Sequence, residues 1–326
     1  MGAENPVTAD PNTELLTRVR RLSRYADRLL LADPTLGEEL AARLQEPYTP
    51  QAMQAFLDQQ PTGEAGQLAS ALRQLRRRVM LRVMARDLGR LASLEEVTET
   101  MTALADLAIT RARDAHHAWL AERYGHPIGD ETGQPQDLLV IGMGKLGGGE
   151  LNVSSDVDLV FVYPEEGHTD GPKSISNHEF FTRLGQRIAG ALNDFTPEGF
   201  VFRVDLRLRP FGESGPLVVN FPSLEHYLIT QGREWERYAW IKARVVCGSR
   251  AQELERLTRP FVFRKYLDFG AYASMRSLHA QIREEVKRRE LMDNIKLGPG
   301  GIREIEFIAQ VFQLIRGGQV PPLRAR

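Results

Sequence analysis

Asp156 and Asp158 flank Val157 at the head of an apolar run, Leu159-Val160-Phe161-Val162. On a strand, the period of two puts both carboxylates on one face. Like charges at that spacing repel unless a cation lies between them, and hard oxygen donors suit Mg²⁺ or Mn²⁺. Asp205 stands among Arg203, Arg207 and Arg209 in a further candidate strand. That pattern fits either an exposed, salt-bridged strand or a site that handles phosphate and metal together. In the second case Asp156, Asp158 and Asp205 form a metal clamp for in-line phosphoryl chemistry. The neighbouring arginines then grip phosphate oxygens bidentately.

Gly142, Gly144 and Gly147 spell GxGxxG directly after a strand-like segment. A dinucleotide fold needs a crossover of about a dozen residues before its next parallel strand. Only Gly148 to Val153 are available for one, so that fold is excluded. The Walker spelling fails too, because Lys145 is followed by Leu146. What remains is an amide-rich loop carrying one lysine, either a phosphate cradle or a tight strand-to-strand connection. Downstream, Arg233, Arg237 and Arg244 recur at roughly helical spacing with Lys242 nearby. They read as a solvated basic face or as a phosphate- or partner-binding face. Gly298-Pro299-Gly300-Gly301 is a turn that opens a helix, with Arg303, Glu304 and Glu306 in its first turn.

Residues up to about Glu122 read as helices. The clearest runs from Gln67 to Leu91 with Leu68, Leu72, Leu75, Val79 and Leu88 on one stripe. Arg76-Arg77-Arg78 lies inside it and is expected to face solvent. Ser93 and Glu96 open the next helix with a capping-box pattern. Gly125 to Gln136 reads as a linker, from its prolines and glycines. Strands are expected at Asp137–Ile141, Val157–Tyr163 and Gly199–Leu208, the last with clean alternation, and a helix at Asn177–Leu192. From Ser223 the pattern is helical to Arg316, with breaks at Pro260 and at the glycine turn. The apolar residues of Ile305–Ile315 spread around much of that helix, which predicts an apolar patch needing cover.

These elements imply an α+β fold in three segments: a helical region over 1–125, a sheet-bearing core over 137–222, and a helical region over 223–326 that is expected to be truncated. The 326 residues carry a net charge of −1, which argues against a generic DNA, RNA or membrane-surface binder. Cys247 is the only cysteine, which excludes an intrachain disulfide and a cysteine-rich zinc site. No stretch reaches the apolar length of a membrane span, and Met1 to Asn12 lack signal-peptide order. The chain is therefore expected to be cytoplasmic.

Gly144 to Leu159, with Ser155-Asp156-Val157-Asp158 at its heart, resembles the signature of the polymerase-beta-like nucleotidyltransferase superfamily. Lys145 replaces the serine that usually follows the leading glycine. Longer strings, GMGKLGGGELNVSSDVDLVFVYPEEG, FRVDLRLRPFGESGPL, REWERYAWIKAR and DNIKLGPGGIREIEFIAQVFQLIRGG, resemble the glutamine synthetase adenylyltransferase family. The resemblance covers about Leu68 to Arg316. GGGELNVSSDVDLVF after a helical region is similar to the amino-terminal half, which removes AMP from a tyrosine of glutamine synthetase by phosphorolysis and releases ADP.

The resemblance implies a nucleotidyltransferase sheet core, a Mg²⁺ or Mn²⁺ cofactor, and glutamine synthetase, a PII signalling protein, inorganic phosphate and adenine nucleotides as partners. It implies Asp156, Asp158 and Asp205 as the catalytic, metal-binding carboxylates. Gly144, Lys145, Gly147, Gly148, Ser155, Arg207, Arg209, Lys242 and Arg303 are expected to contact phosphate or nucleotide. ATP-dependent adenylylation on the same fold and a non-catalytic docking module remain as alternatives.

Overall fold

The computed structural model describes residues 11–264, 276–277, 280–281, 283–284, 286–288 and 293–325. The chain forms two compact units: residues 1–117, 149–157 and 186–204, and residues 118–148, 158–185 and 205–326. The architecture is α+β, as the sequence implies. No described helix is long and apolar enough to cross a membrane.

The first unit is helical. It contains α1 (Pro11–Leu22), α2 (Arg24–Ala32), α3 (Pro34–Ala42), α4 (Pro50–Asp58), α5 (Ala65–Leu88) and most of α6 (Leu94–Tyr124). Local chemistry sets the starts of these helices. Ser23 and Thr49 accept hydrogen bonds from the backbone of Ala26 and Ala52, and Asp33 caps a helix whose first residue is Pro34. Ser93 accepts from Glu96 N at 3.2 Å, which realises the expected N-terminal signal of α6.

The run Arg76-Arg77-Arg78, expected to face solvent, is half-buried, and other arginines of α5 lie deeper. Arg73, Arg82 and Arg86 are buried. Arg76 lies over the Phe200 ring and Arg78 over the Phe56 ring, each at 4.7 Å. Arg86 binds both oxygens of Glu96, at 2.6 and 2.9 Å, and donates to the Leu44 and Leu91 carbonyls. Charge alone suggested solvent, but a guanidinium can be buried when several carbonyls and a carboxylate satisfy its donors. The helix is consequently buried on more than one stripe, with Met80, Leu81, Val83 and Ala85 inside as well.

The second unit is organised by a five-stranded sheet. Its order is β5 (Val204–Asp205), β3 (Val157–Tyr163), β2 (Leu139–Met143) and β7 (Arg244–Cys247), with β6 (Val218–Asn220) also on β3. β2 runs antiparallel to β3 and β7, whereas β6 is parallel to β3. In the β2–β3 register Ile141 faces Val160 and Met143 faces Asp158. Leu139, Ile141, Met143, Val160 and Val162 share a core with Phe221, Leu224, Trp240, Ile241, Leu254, Phe261 and Leu314. The helices supplying the rest of that core are α9 (Phe221–Thr230), α10 (Glu234–Ile241), α11 (Ala251–Val262) and α12 (Ile302–Arg316). α7 (Gly144–Gly147) is a single turn between β2 and β3, and α8 (Asn177–Asn193) follows β4 (Gly167–Thr169).

Four expectations change. Gly125–Gln136 is not a free linker: β1 (Pro127–Gly129) pairs with β4, Ile128 opposite His168. The strand expected over Gly199–Leu208 shrinks to β5. Val201 and Phe202 are both buried and both donate to the Leu192 carbonyl, so alternation ends there. The run expected to be helical from Ser223 contains β7, whose Val245-Val246 pair favours a pleated surface. Pro260 lies inside α11 rather than ending it.

Candidate active site

The β2–α7 turn sets the site. Gly144 has φ +52, and a Cβ there would lie 2.9 Å from Asp158 Oδ2. Only glycine meets both demands, a left-handed backbone and room for the carboxylate. The register delivers that carboxylate by placing Asp158 opposite Met143. Gly147 has a different reason for being glycine. A Cβ on it would come within 1.9 Å of the Lys242 carbonyl oxygen. The turn is thereby pressed on the end of α10, where Lys242 is the C-cap. Arg244 Nη2 donates to the Leu146 carbonyl at 3.0 Å from the other side. Gly148 closes the turn by donating to the Gly144 carbonyl at 3.0 Å.

Asp205 accepts hydrogen bonds from the Arg207 backbone and guanidinium. The guanidinium holds the Asp205 carboxyl below the usual carboxylate range against the opposing effect of burial. Asp205 in turn raises Arg207, with Asp158 contributing further through its charge. Arg209 is spent on local structure, donating to the carbonyls of Leu206, Glu213 and Gly215. Asp156, in the first unit, is exposed and ion-paired with Arg203. Ser155 donates to Asn152 Oδ1 at 3.0 Å. Arg237, read from sequence as part of a basic face, is fully buried and donates to the Phe261 and Val262 carbonyls. Arg244 lies on a strand, so the expected helical face does not exist.

A cleft of about 390 Å³ opens beside the turn, lined by Gly144, Lys242 and Arg303 among others. Three of the sequence-predicted residues thus converge, although almost 160 positions separate the first from the last (303 − 144 = 159). Glu306, noted from sequence beside Arg303, lines the cleft as well, whereas sequence reasoning missed Trp235, Tyr238, Ala239, Phe307 and Gln310 as site residues. The signal was present in helical spacing. Trp235, Tyr238 and Lys242 follow a three-then-four step, as do Arg303, Glu306 and Gln310. Tyr238 and Phe307 stack with ring centroids 4.8 Å apart. The Tyr238 hydroxyl is buried without a hydrogen-bond partner among the described residues, and burial pushes it up to about 12. Lys242 is ion-paired with Glu306 across the cleft.

Among the described residues, no three Asp, Glu, His or Cys side chains form a metal-binding group. The donor chemistry of Asp158 and Asp205 nevertheless suits a hard divalent ion. At Asp205 such an ion would have to replace Arg207, which already supplies the positive charge.

Residues 13–259 match the family model described as glutamate-ammonia ligase adenylyltransferase. Residues 276–325 match a second model, GlnD PII-uridylyltransferase. A bifunctional glutamine synthetase adenylyltransferase/adenylyl-removing enzyme of Aromatoleum aromaticum is 58% identical over 98% of this chain and 34% of its own length. The correspondingly named proteins of Chromobacterium violaceum and Nitrosomonas eutropha are 57% and 56% identical over 95% and 96% of this chain, and 35% of their own length. The chain therefore spans about a third of the length of the curated relatives it matches.

Proposed function

The chain belongs to the glutamate-ammonia ligase adenylyltransferase family, and we propose that it carries the adenylyl-removing activity, phosphorolysis of the AMP–tyrosine bond on adenylylated glutamine synthetase. The observation that carries this reading is the convergence of Gly144, Lys242 and Arg303 on one cleft beside Asp158. The cleft joins cationic groups, which suit phosphate, to an aromatic wall of Trp235, Tyr238 and Phe307, which suits a purine face.

In this reaction an oxygen of inorganic phosphate attacks the AMP phosphorus. A new P–O bond forms in line with the P–O bond to tyrosine that breaks, and ADP and the free tyrosine leave. Lys242 and Arg303 hold phosphate oxygens, and Arg207 offers a further guanidinium beside Asp158. The tyrosine leaving group has an unperturbed pKa of about 10, so its departure needs little help from an acid. Asp158 and Asp205, with Asp156 by its place in the sequence, would hold a Mg²⁺ or Mn²⁺ ion, which supplies charge stabilisation to the transferring phosphoryl group. Gly147 and Gly148 shape the turn that carries Gly144 and Lys145. The match of residues 276–325 supports keeping a PII protein among the proposed partners.

The deciding experiment incubates the chain with adenylylated glutamine synthetase and phosphate, and identifies the nucleotide released. ADP that depends on phosphate is the expected result. Pyrophosphate released from ATP with unmodified glutamine synthetase would assign the adenylylating direction instead. Binding without turnover in either assay would make the chain a docking module.

A further inference from the structure

We propose that Glu306 is a resident anion that occupies the phosphate position on Lys242 and must be displaced when a phosphorylated ligand enters the cleft. The inference rests on the reading of this cleft as a phosphate and nucleotide site. Lys242 and Glu306 come from different elements, the end of α10 and the second turn of α12, and both line the cleft. Their ion pair is unequal in exposure: the lysine side chain is 13% accessible and the glutamate 41%. The ammonium is therefore anchored in the wall, while the carboxylate is the partner that can swing toward solvent. An ammonium is a compact charge with three donors, and it accepts a phosphate oxygen and a carboxylate oxygen on similar terms. An arriving phosphate meets the carboxylate at the same cation, and two anions so close repel.

The surroundings suit an exchange. Arg303 lines the same cleft from the preceding turn of α12. Phe307, next to Glu306, is held in its stack with Tyr238, so the displacement can be confined to the glutamate side chain while the aromatic wall stays in place. Glu306 then acts as a threshold: a ligand must bring enough phosphate charge to outcompete it, so the pair lowers the affinity of ADP and phosphate, whereas an uncharged nucleoside does not compete for Lys242 and is unaffected. A purely structural pair, in contrast, would hold α10 and α12 at the spacing that shapes the cleft, and its loss would weaken every ligand.

The two roles predict opposite signs for Glu306→Gln, which keeps the shape and removes the charge. Binding of ADP and, separately, of inorganic phosphate to the whole chain is measured by calorimetry, with adenosine as the uncharged control. The expected result is ADP and phosphate affinity about two- to fivefold tighter, the range that a partly exposed ion pair can withhold, with adenosine unchanged. Glu306→Ala serves as a second variant, and a thermal melt confirms that each is folded. Unchanged or weaker ADP binding in both variants overturns the inference. Lys242→Ala separates it from the underlying reading. If that variant loses phosphate affinity while Glu306→Gln gains none, only the threshold fails. If it binds phosphate as well as the parent, the cleft is not the phosphate site and both fail.

Discussion

At the scale of single residues, the carboxylates and one histidine make opposite use of charge. Asp158 borders the glycine turn and contributes to the field at Arg207. Asp158→Asn and Asp156→Asn are each expected to abolish phosphorolysis while changing the melting temperature little, because the Asp156–Arg203 pair is exposed and Asp158 acts on Arg207 only through its charge. Full turnover by either variant at low metal concentration would remove that residue from the site. His116 shows the reverse economy. It is buried in the first unit, and desolvation, reinforced by Arg187, lowers it to about 4. Its unfolded value is higher, so between about pH 6.5 and 4 the unfolded chain binds more protons and stability falls as the solution is acidified. The stabilisation is complete above pH 6.5 and amounts to at most about 3 kcal/mol. His116→Leu should flatten urea-derived unfolding free energies across that window; a slope that persists would place the titration elsewhere.

At the scale of elements, glycines with one spelling have different duties. Gly144 makes room for Asp158, whereas Gly147 lets the α7 turn rest on the Lys242 carbonyl. A methyl group on Gly147 meets backbone on two sides, at 1.9 Å from Lys242 O and 2.5 Å from Gly142 O, and neither can swing aside. Gly147→Ala is therefore expected to cost about 1–3 kcal/mol. It should also weaken ADP binding by shifting the end of α10 that carries Lys242. A variant with parental stability and affinity would show that the turn is not pinned there. The same reasoning explains why Lys242 and Arg303 reach one cleft: α10 and α12 each present a face of residues three and four apart, with Tyr238 and Phe307 stacked between them.

At the scale of the whole molecule, the notable surface is the outer side of α12. Ile302, Ile305, Ile308 and Phe312 are exposed, while Leu314 is fully buried and Val311 and Ile315 pack on the second unit's core. The apolar patch expected from sequence is present, with one stripe of the helix inside and another in solvent. Ile305→Lys and Phe312→Lys should each change unfolding free energy by no more than about 0.5 kcal/mol, whereas Leu314→Ala should cost about 2–5 kcal/mol. Chemical denaturation of the three variants checks this. A large loss at Ile305 or Phe312 would mean that the stripe is covered in solution.

Patterns of short range were legible from sequence alone: the helices of the first unit, β3 over Val157–Tyr163, α8, the glycine turn and the carboxylates beside it. Each depends on local periodicity or on backbone preferences that neighbouring residues settle. β1 and β7 were not legible, because three or four residues become a strand only when a partner such as β4 or β2 satisfies their backbone groups. The buried arginines of α5 were not legible for a related reason. A charged side chain reads as solvated until carbonyls from distant segments, such as those of Leu44 for Arg86 and Gly199 for Arg73, are brought to its donors. Likewise the sequence named Gly144, Lys242 and Arg303 separately, but only tertiary packing placed them on one cleft, with Trp235, Tyr238 and Phe307 as its wall and Glu306 across from Lys242. A residue's type determines what chemistry it can do; which partner it meets depends on the packing of elements far apart in the chain, and no local pattern encodes that.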